Sequence, residues 1–246
     1  MTNIKQRSKD WKSGVSKTIT FIVTKDCQLA CKYCYLVGKN SKERMSFGIA
    51  KKAIDYILAH ENDMPEESVV FDFIGGEPFL EIDLIDKICD YLKIEMFRLN
   101  HHWFNSFRFS FSTNGINYHE KKIQDFIKKN RNHLSIGITI DGTEKKHDLN
   151  RIYKISSKGS YQDVAKNIPL WLQQFPNAAT KVTISSPDIP YIAESVIHLY
   201  SLGIHEVNIN CVYEDVWNEG DDKAFETELL KLADLIIDNE YYKDYV

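Results

Sequence analysis

The chain has 246 residues, 43% of them hydrophobic and 27% charged, with a formal net charge of -4. That length allows one large α/β domain or two small ones, and the apolar fraction is enough for a real core. The small negative charge argues against a nucleic-acid partner. No apolar run is long enough to span a bilayer, and residues 1–7 lack the apolar core of a signal peptide. Five cysteines, three of them crowded together, do not read as a disulfide framework, so a reducing cytoplasm is the expected compartment.

Residues 1–17 are polar and basic and read as an N-terminal lead-in. Residues 19–24 form an apolar first strand, and a loop carrying Cys27, Cys31 and Cys34 leaves its end with C-x3-C-x2-C spacing. Thiolates gathered within about eight residues suit a soft metal or an iron–sulfur cluster. Three are too few to close a tetrahedral four-cysteine site, and the loop offers no histidine. A four-iron cubane held by three cysteines keeps one iron free for an outside ligand. A structural zinc site with a distant fourth ligand, or three reduced thiols with no ligand, are the alternatives.

Ser46 then caps a helix whose stripe is Ile49, Ala53, Ile54, Ile57 and Leu58. A turn at 62–68 leads to a strand at 69–74 and a helix at 81–94. On that helix Ile85, Ile88, Cys89 and Leu92 share a face, which makes Cys89 a core residue. The alternation continues with strands at 107–113, 134–140, 181–185 and 206–212. Helices are expected at 119–130, 161–175, 192–202 and 222–239, the last with Phe225, Leu229, Leu232 and Ile236 on one face. Six strand–helix units in strict alternation imply a parallel sheet with right-handed crossovers.

The strands alternate where two-sided burial would make them continuously apolar. Phe107, Phe109 and Phe111 oppose Ser110, Ser112 and Asn114. Leu134, Ile136, Ile138 and Ile140 oppose Ser135, Gly137, Thr139 and Asp141. Val182 and Ile184 oppose Thr183 and Ser185. Val207, Ile209 and Cys211 oppose Asn208 and Asn210, which puts Cys211 on a helix-covered face. An apolar outer face under helices and a polar inner face describe an α/β fold of the partial (β/α)6 TIM-like barrel type, with parallel strands and helices outside. An open sheet with one solvated face fits poorly with a helix after every strand.

Polar motifs close the first strands. Gly75-Gly76-Glu77-Pro78 ends the second: glycines there let a ligand approach the backbone, and Glu77 adds a carboxylate that suits a cation and repels a phosphate. Ser112-Thr113-Asn114-Gly115 ends the third and Thr139-Ile140-Asp141-Gly142 the fourth, with His147-Asp148-Leu149-Asn150-Arg151 following. Each alone is also readable as a plain polar turn. Arg151 offers a guanidinium fork for a carboxylate, against the alternative of a solvated helix-start arginine. His147 reads as a hydrogen-bonding loop residue.

The cysteine loop, with the aromatic Tyr33 before its last cysteine, resembles the signature loop of the radical S-adenosylmethionine (SAM) enzymes. The four motifs fall in that family's order across about residues 18–215. The last block resembles the branch of SPASM-type peptide maturases and anaerobic sulfatase-maturating enzymes. The resemblance implies a radical SAM partial barrel over residues 18–240. In it Cys27, Cys31 and Cys34 would hold a [4Fe-4S] cluster whose open iron chelates SAM. Gly75, Gly76 and Glu77 would engage the SAM amino group and Arg151 its carboxylate. Ser112, Asn114, Thr139 and Asn208 would add polar contacts, and Tyr33 would pack near the adenine.

The implied activity is reductive cleavage of SAM to a 5′-deoxyadenosyl radical that abstracts hydrogen from a ribosomally made precursor peptide, with thioether crosslinking as one outcome. An electron donor such as flavodoxin or ferredoxin is the implied partner, with no nucleic acid and no membrane. A small-molecule substrate and a non-catalytic iron–sulfur or metal-binding module are the rival readings. One departure stands out: no cysteine follows Cys211, so the chain carries no cysteine-rich auxiliary-cluster domain. It is expected to be either truncated or a one-cluster enzyme.

Overall fold

The structure is a computed structural model that describes residues 16–36 and 39–244. Of the lead-in, residues 1–15 lie outside the described residues, while Ser16 and Lys17 open the first strand. Four strands form one sheet in the order β1-β2-β3-β4: β1 (Ser16–Thr24), β2 (Ser68–Gly75), β3 (Phe107–Thr113) and β4 (Leu134–Ile138). β5 (Ala179–Ile184) and β6 (Glu206–Cys211) form a parallel pair. The α-helices are α1 (Phe47–Ala59), α2 (Ile82–Arg98), α3 (Lys121–Asn130), α4 (Glu144–Asn150), α5 (Tyr161–Ala165), α6 (Ile168–Gln174), α7 (Ile192–Ser201) and α8 (Asp221–Asp238). The chain divides into two compact units. The first comprises the described residues up to 26 with 41–112 and 120–135; the second comprises 27–40, 113–119 and 136 onward.

In the first unit β1 pairs parallel to β2, and β2 to β3. The register sets Phe21 opposite Phe73, Phe71 opposite Phe109, and Phe73 opposite Phe111. Their rings stack along the sheet, with centroids 5.4 Å apart for Phe21–Phe73 and 5.2 Å for Phe73–Phe111. Such cross-strand pairs fix the register, because a slip of one residue would turn every phenylalanine to the other face. That other face carries Thr18, Thr20, Asp72, Ser110 and Ser112, all half-buried or exposed, as the alternation required. α1 buries Ala50, Ile54 and Leu58 beneath an N-cap in which the Ser46 hydroxyl accepts from the Ile49 amide. α2 buries Ile85, Ile88, Cys89 and Leu92, so Cys89 is a core residue.

In the second unit a side chain joins β4 to β5. The Thr180 hydroxyl donates to the Ile138 carbonyl (2.8 Å) and accepts from the Ile140 amide (3.2 Å). α7 and α8 close a core of Ala193, Val196, Tyr200 and Leu232, with Val207 and Ile209 of β6 packed against it.

Four sequence expectations change. Cys211 is exposed, because the α7–α8 core takes in Val207 and Ile209 but stops short of the strand's last residue. Leu229 is likewise 41% exposed on α8. The helix expected at 161–175 is two helices, with Pro169 placed in the first turn of α6, where its missing N–H does no harm. Finally, the segment holding His147 is itself a short helix, α4, capped by the Thr143 hydroxyl.

Candidate functional site

The first unit contributes the glycine motif. β2 ends at Gly75, which pairs with Thr24. The Gly76 amide donates to the Thr24 carbonyl (2.9 Å) and the Glu77 amide to the Asp26 carbonyl (2.8 Å). A Cβ at Gly75 would lie 2.3 Å from the Thr24 oxygen, and one at Gly76 would lie 2.1 Å from the Asp26 oxygen. Both partners are backbone and cannot swing away, so only glycine fits. The motif thus clamps Asp26, the residue bonded to Cys27. Glu77 is buried, and its carboxylate accepts from the Phe79 amide at 3.0 Å, capping the short turn Pro78–Glu81.

The second unit holds the cysteine loop and the segment after α4. The two run side by side. Ala30 N–H donates to the Ile152 carbonyl (2.8 Å), Lys32 N–H to the Asn150 carbonyl (3.1 Å), and Lys154 N–H to the Gln28 carbonyl (3.0 Å). Cys27 is buried; its sulfur accepts from the Leu29 amide at 3.3 Å and faces the Asn114 amide at 3.8 Å. Cys31 and Cys34 are half-buried. Asn114 also donates to the Gln28 side chain at 3.1 Å, so it serves the cysteine loop.

Beside the loop, the Tyr33 hydroxyl donates to the Asp141 carboxylate and accepts from Arg151 Nη1 at 3.0 Å. Arg151 is 6% exposed, and its Nε is enclosed with no partner. Burial pulls against its charge, but Tyr33, Cys31 and Asp141 outweigh that and raise its pKa, so it stays a cation. Burial, followed by the charges of Arg151 and Lys146, holds His147 well below the ordinary imidazole range. The neutral ring accepts the Asp141 amide on Nδ1 (3.2 Å) and donates from Nε2 to the Ser160 hydroxyl (3.0 Å). Ser160 in turn donates to the Arg151 carbonyl at 2.7 Å. His147 and Ser160 therefore hold Asp141 and Arg151 by their backbones.

Beneath lies a network that the residue pattern had not indicated. Lys146, fully buried, donates to the Thr183 carbonyl (2.8 Å) and stands 3.7 Å from Asp188. Asp188 accepts from the Asn150 side chain (2.9 Å) and the Ser185 hydroxyl (2.6 Å).

The other expected residues are less concentrated. Thr139 is half-buried, with its amide on the Thr113 carbonyl at 2.9 Å. Ser112 is half-buried in the first unit. Asn208 is exposed and donates to the Glu206 carboxylate at 3.3 Å.

Residues 21–212 match the Radical SAM superfamily, and the chain belongs to that family. An uncharacterized protein of Methanocaldococcus jannaschii is 34% identical over 195 residues, 79% of this chain and 62% of the relative. The cysteine-type anaerobic sulfatase-maturating enzyme of Clostridium novyi is 31% identical over 148 residues, covering 59% of this chain and 37% of that enzyme. The resemblance to the maturase branch is thus borne out. Among solved structures, native anSMEcpe with bound AdoMet and Kp18Cys peptide superposes with a TM-score of 0.73 at 17% identity, over 94% of this chain and 62% of that one. Streptococcus suis SuiB bound to precursor peptide SuiA gives a TM-score of 0.62 at 15% identity, over 96% and 49%. These likenesses bear out the α/β fold class, the partial barrel with parallel strands. The chain spans less than two thirds of the length of these relatives.

Proposed function

We propose that this chain is the catalytic part of a radical SAM enzyme that modifies a residue within a peptide. The observation that carries the reading is Arg151: a buried cation with an unpartnered Nε, bonded to the tyrosine of the loop that carries Cys27, Cys31 and Cys34. A buried guanidinium with spare donors is a site for a carboxylate, and SAM brings one. Three thiols at this spacing are a fitting donor set for a site-differentiated [4Fe-4S] cluster.

In this reading Cys27, Cys31 and Cys34 hold the cluster, with Cys27 stabilised by N–H groups directed at its sulfur. Arg151 takes the carboxylate of SAM. Gly75, Gly76 and Glu77 offer acceptors to its ammonium. Tyr33 lies against the adenine, while Ser112, Asn114, Thr139 and Asn208 supply polar contacts. Bound together, the cluster and SAM supply one-electron cleavage of the C5′–S bond, giving methionine and a 5′-deoxyadenosyl radical that takes a hydrogen atom from the substrate. A flavodoxin or ferredoxin would supply the electron. The family placement and the maturase-like relatives favour a peptide as substrate, with thioether formation as one outcome.

The test is anaerobic reconstitution followed by assay of 5′-deoxyadenosine. Cys31→Ala should abolish both SAM cleavage and the iron–sulfur absorption near roughly 400 nm, since the cubane loses one of its three protein ligands. With a deuterated cysteine-containing peptide, deuterium should enter 5′-deoxyadenosine. Cleavage without transfer from any peptide would sink the peptide assignment and leave the radical SAM one standing.

A further inference from the structure

The opposite end of the first unit carries a second cluster of ligating side chains. β2 and β3 begin there, with the glycine motif about 23 Å away at the far end of β2, taking roughly 3.3 Å per residue. Glu61 sits in the turn Glu61–Asp63 after α1, and His101 and His102 follow α2. One ligand atom from each of the three lies within 4.8 Å of the others.

Two features of the cluster point to a cation. His102 Nε2 lies 3.0 Å from the Glu66 carbonyl and donates to it, which leaves the lone pair of Nδ1 aimed at Glu61 Oε1, 2.5 Å away. Two lone pairs at that separation share a proton, and a metal ion bound to both at about 2.0 Å would take the proton's place and part the two atoms to roughly 3.3 Å. A ring nitrogen anchored to a backbone carbonyl while the other faces outward is the usual arrangement of a metal-binding histidine. The second feature is His101. It is 3% exposed, and its Nε2 is enclosed with no partner. Its other nitrogen receives only a long bond, 3.2 Å, from the Trp103 amide. The two imidazoles stack at 4.6 Å.

We propose that Glu61, His101 and His102 bind one divalent transition-metal ion, Zn²⁺ fitting best. Two imidazoles and one carboxylate match zinc's preferred nitrogen and oxygen donors and leave a fourth position for water. The set contains no thiolate, so it does not compete with the cysteine loop for iron. Binding replaces the proton between His102 and Glu61 and gives up the Trp103 contact to His101. The ion ties the connection before β2 to the connection before β3. At the N-terminal ends of barrel strands such a device serves stability.

The experiment uses the full chain with its iron–sulfur cluster loaded, so that the cysteines are occupied. Zinc is measured after dialysis against a weak chelator, and Co²⁺ is added as a spectroscopic probe. We expect one zinc per chain beyond the iron, a Co²⁺ spectrum with ligand-field bands but no sulfur charge-transfer band, and a Tm that rises with Zn²⁺. His102→Ala and Glu61→Gln, both at exposed positions, should weaken zinc at least tenfold and remove the Tm response. They should leave SAM cleavage intact. His101→Ala should do the same, but its buried ring makes folding a concern, so the exposed pair decides. No zinc beyond the cluster, or equal retention in both exposed variants, overturns the site. A Tm that stays the same when Zn²⁺ is added also overturns it.

Discussion

Tyr33 is a single hydroxyl with two duties. It donates to Asp141 and accepts from Arg151, side chains 108 and 118 residues away in sequence. Tyr33→Phe leaves Asp141 buried with one donor fewer and frees another Arg151 donor. The expected cost is about 1–3 kcal/mol of stability, the penalty for an unsatisfied buried group, together with weaker SAM binding. Denaturant unfolding and anaerobic titration calorimetry check both. His147 gives a pH prediction. Burial lowers its folded-state pKa below the unfolded value of roughly 6.5, so below that pH the unfolded chain takes up a proton that the folded chain refuses. Stability should therefore fall as the pH drops below about 6.5, with a slope of up to roughly 1.4 kcal/mol per pH unit from this group. His101 and His198 are lowered by burial too and steepen the same limb. His147→Gln should flatten it; an unchanged slope would mean the ring titrates freely in the folded protein.

Among the elements, the β2 terminus is the most constrained. Gly76→Ala would drive a methyl carbon into the Asp26 carbonyl, which lies at 2.1 Å from the ideal Cβ position. The stem of the cysteine loop must then shift, and iron content after reconstitution should fall. Gly48→Ala is the matched control. It lies in α1 with nothing nearer than the Ser46 hydroxyl at 3.8 Å, and should gain about 0.5–1 kcal/mol with iron unchanged. If the two variants load iron equally, the clamp has no such role.

The elements also show what the sequence could carry. β1–β4 were legible because phenylalanines and isoleucines at every second position leave one burial pattern open. The three cysteines were legible from spacing alone. Lys146 was not: beside Lys145 it reads as a solvated charge, and the Thr183 carbonyl and Asp188, both distant along the chain, make its burial tolerable. α4, at seven residues, was too short to show a stripe. Cys211 was misplaced because alternation reports which side of a strand a residue takes, not how far along it a helix provides cover.

For the molecule as a whole, the question is how much iron it holds. Cys89 is buried among apolar side chains of α2, and burial raises its thiol pKa well above the usual range, which disfavours the thiolate a cluster needs. Cys211 is exposed at the end of β6. On the function proposed above, Cys27, Cys31 and Cys34 would hold one cluster, and anaerobic iron and sulfide analysis should give about four irons per chain. Cys211→Ala should change neither iron content nor stability beyond about 0.5 kcal/mol, as for an exposed site, while Cys89→Ala should lower stability by roughly 1–3 kcal/mol and keep the iron. A value near eight irons would require a second set of ligands.

The cysteine loop is held by bonds that owe nothing to iron. Gly76 and Glu77 grip Thr24 and Asp26, and residues 28–32 are laced to 150–154 by the backbone. In a zinc finger the metal and the fold arrive together, and chelation unravels the protein. On the proposed reading, the shape of this loop would not depend on the cluster it carries. Oxygen damage to the cluster should then be repairable in place: chelating the iron should leave the far-UV circular dichroism unchanged. Fresh iron and sulfide should restore activity with no cycle of denaturation, as often as the cell needs.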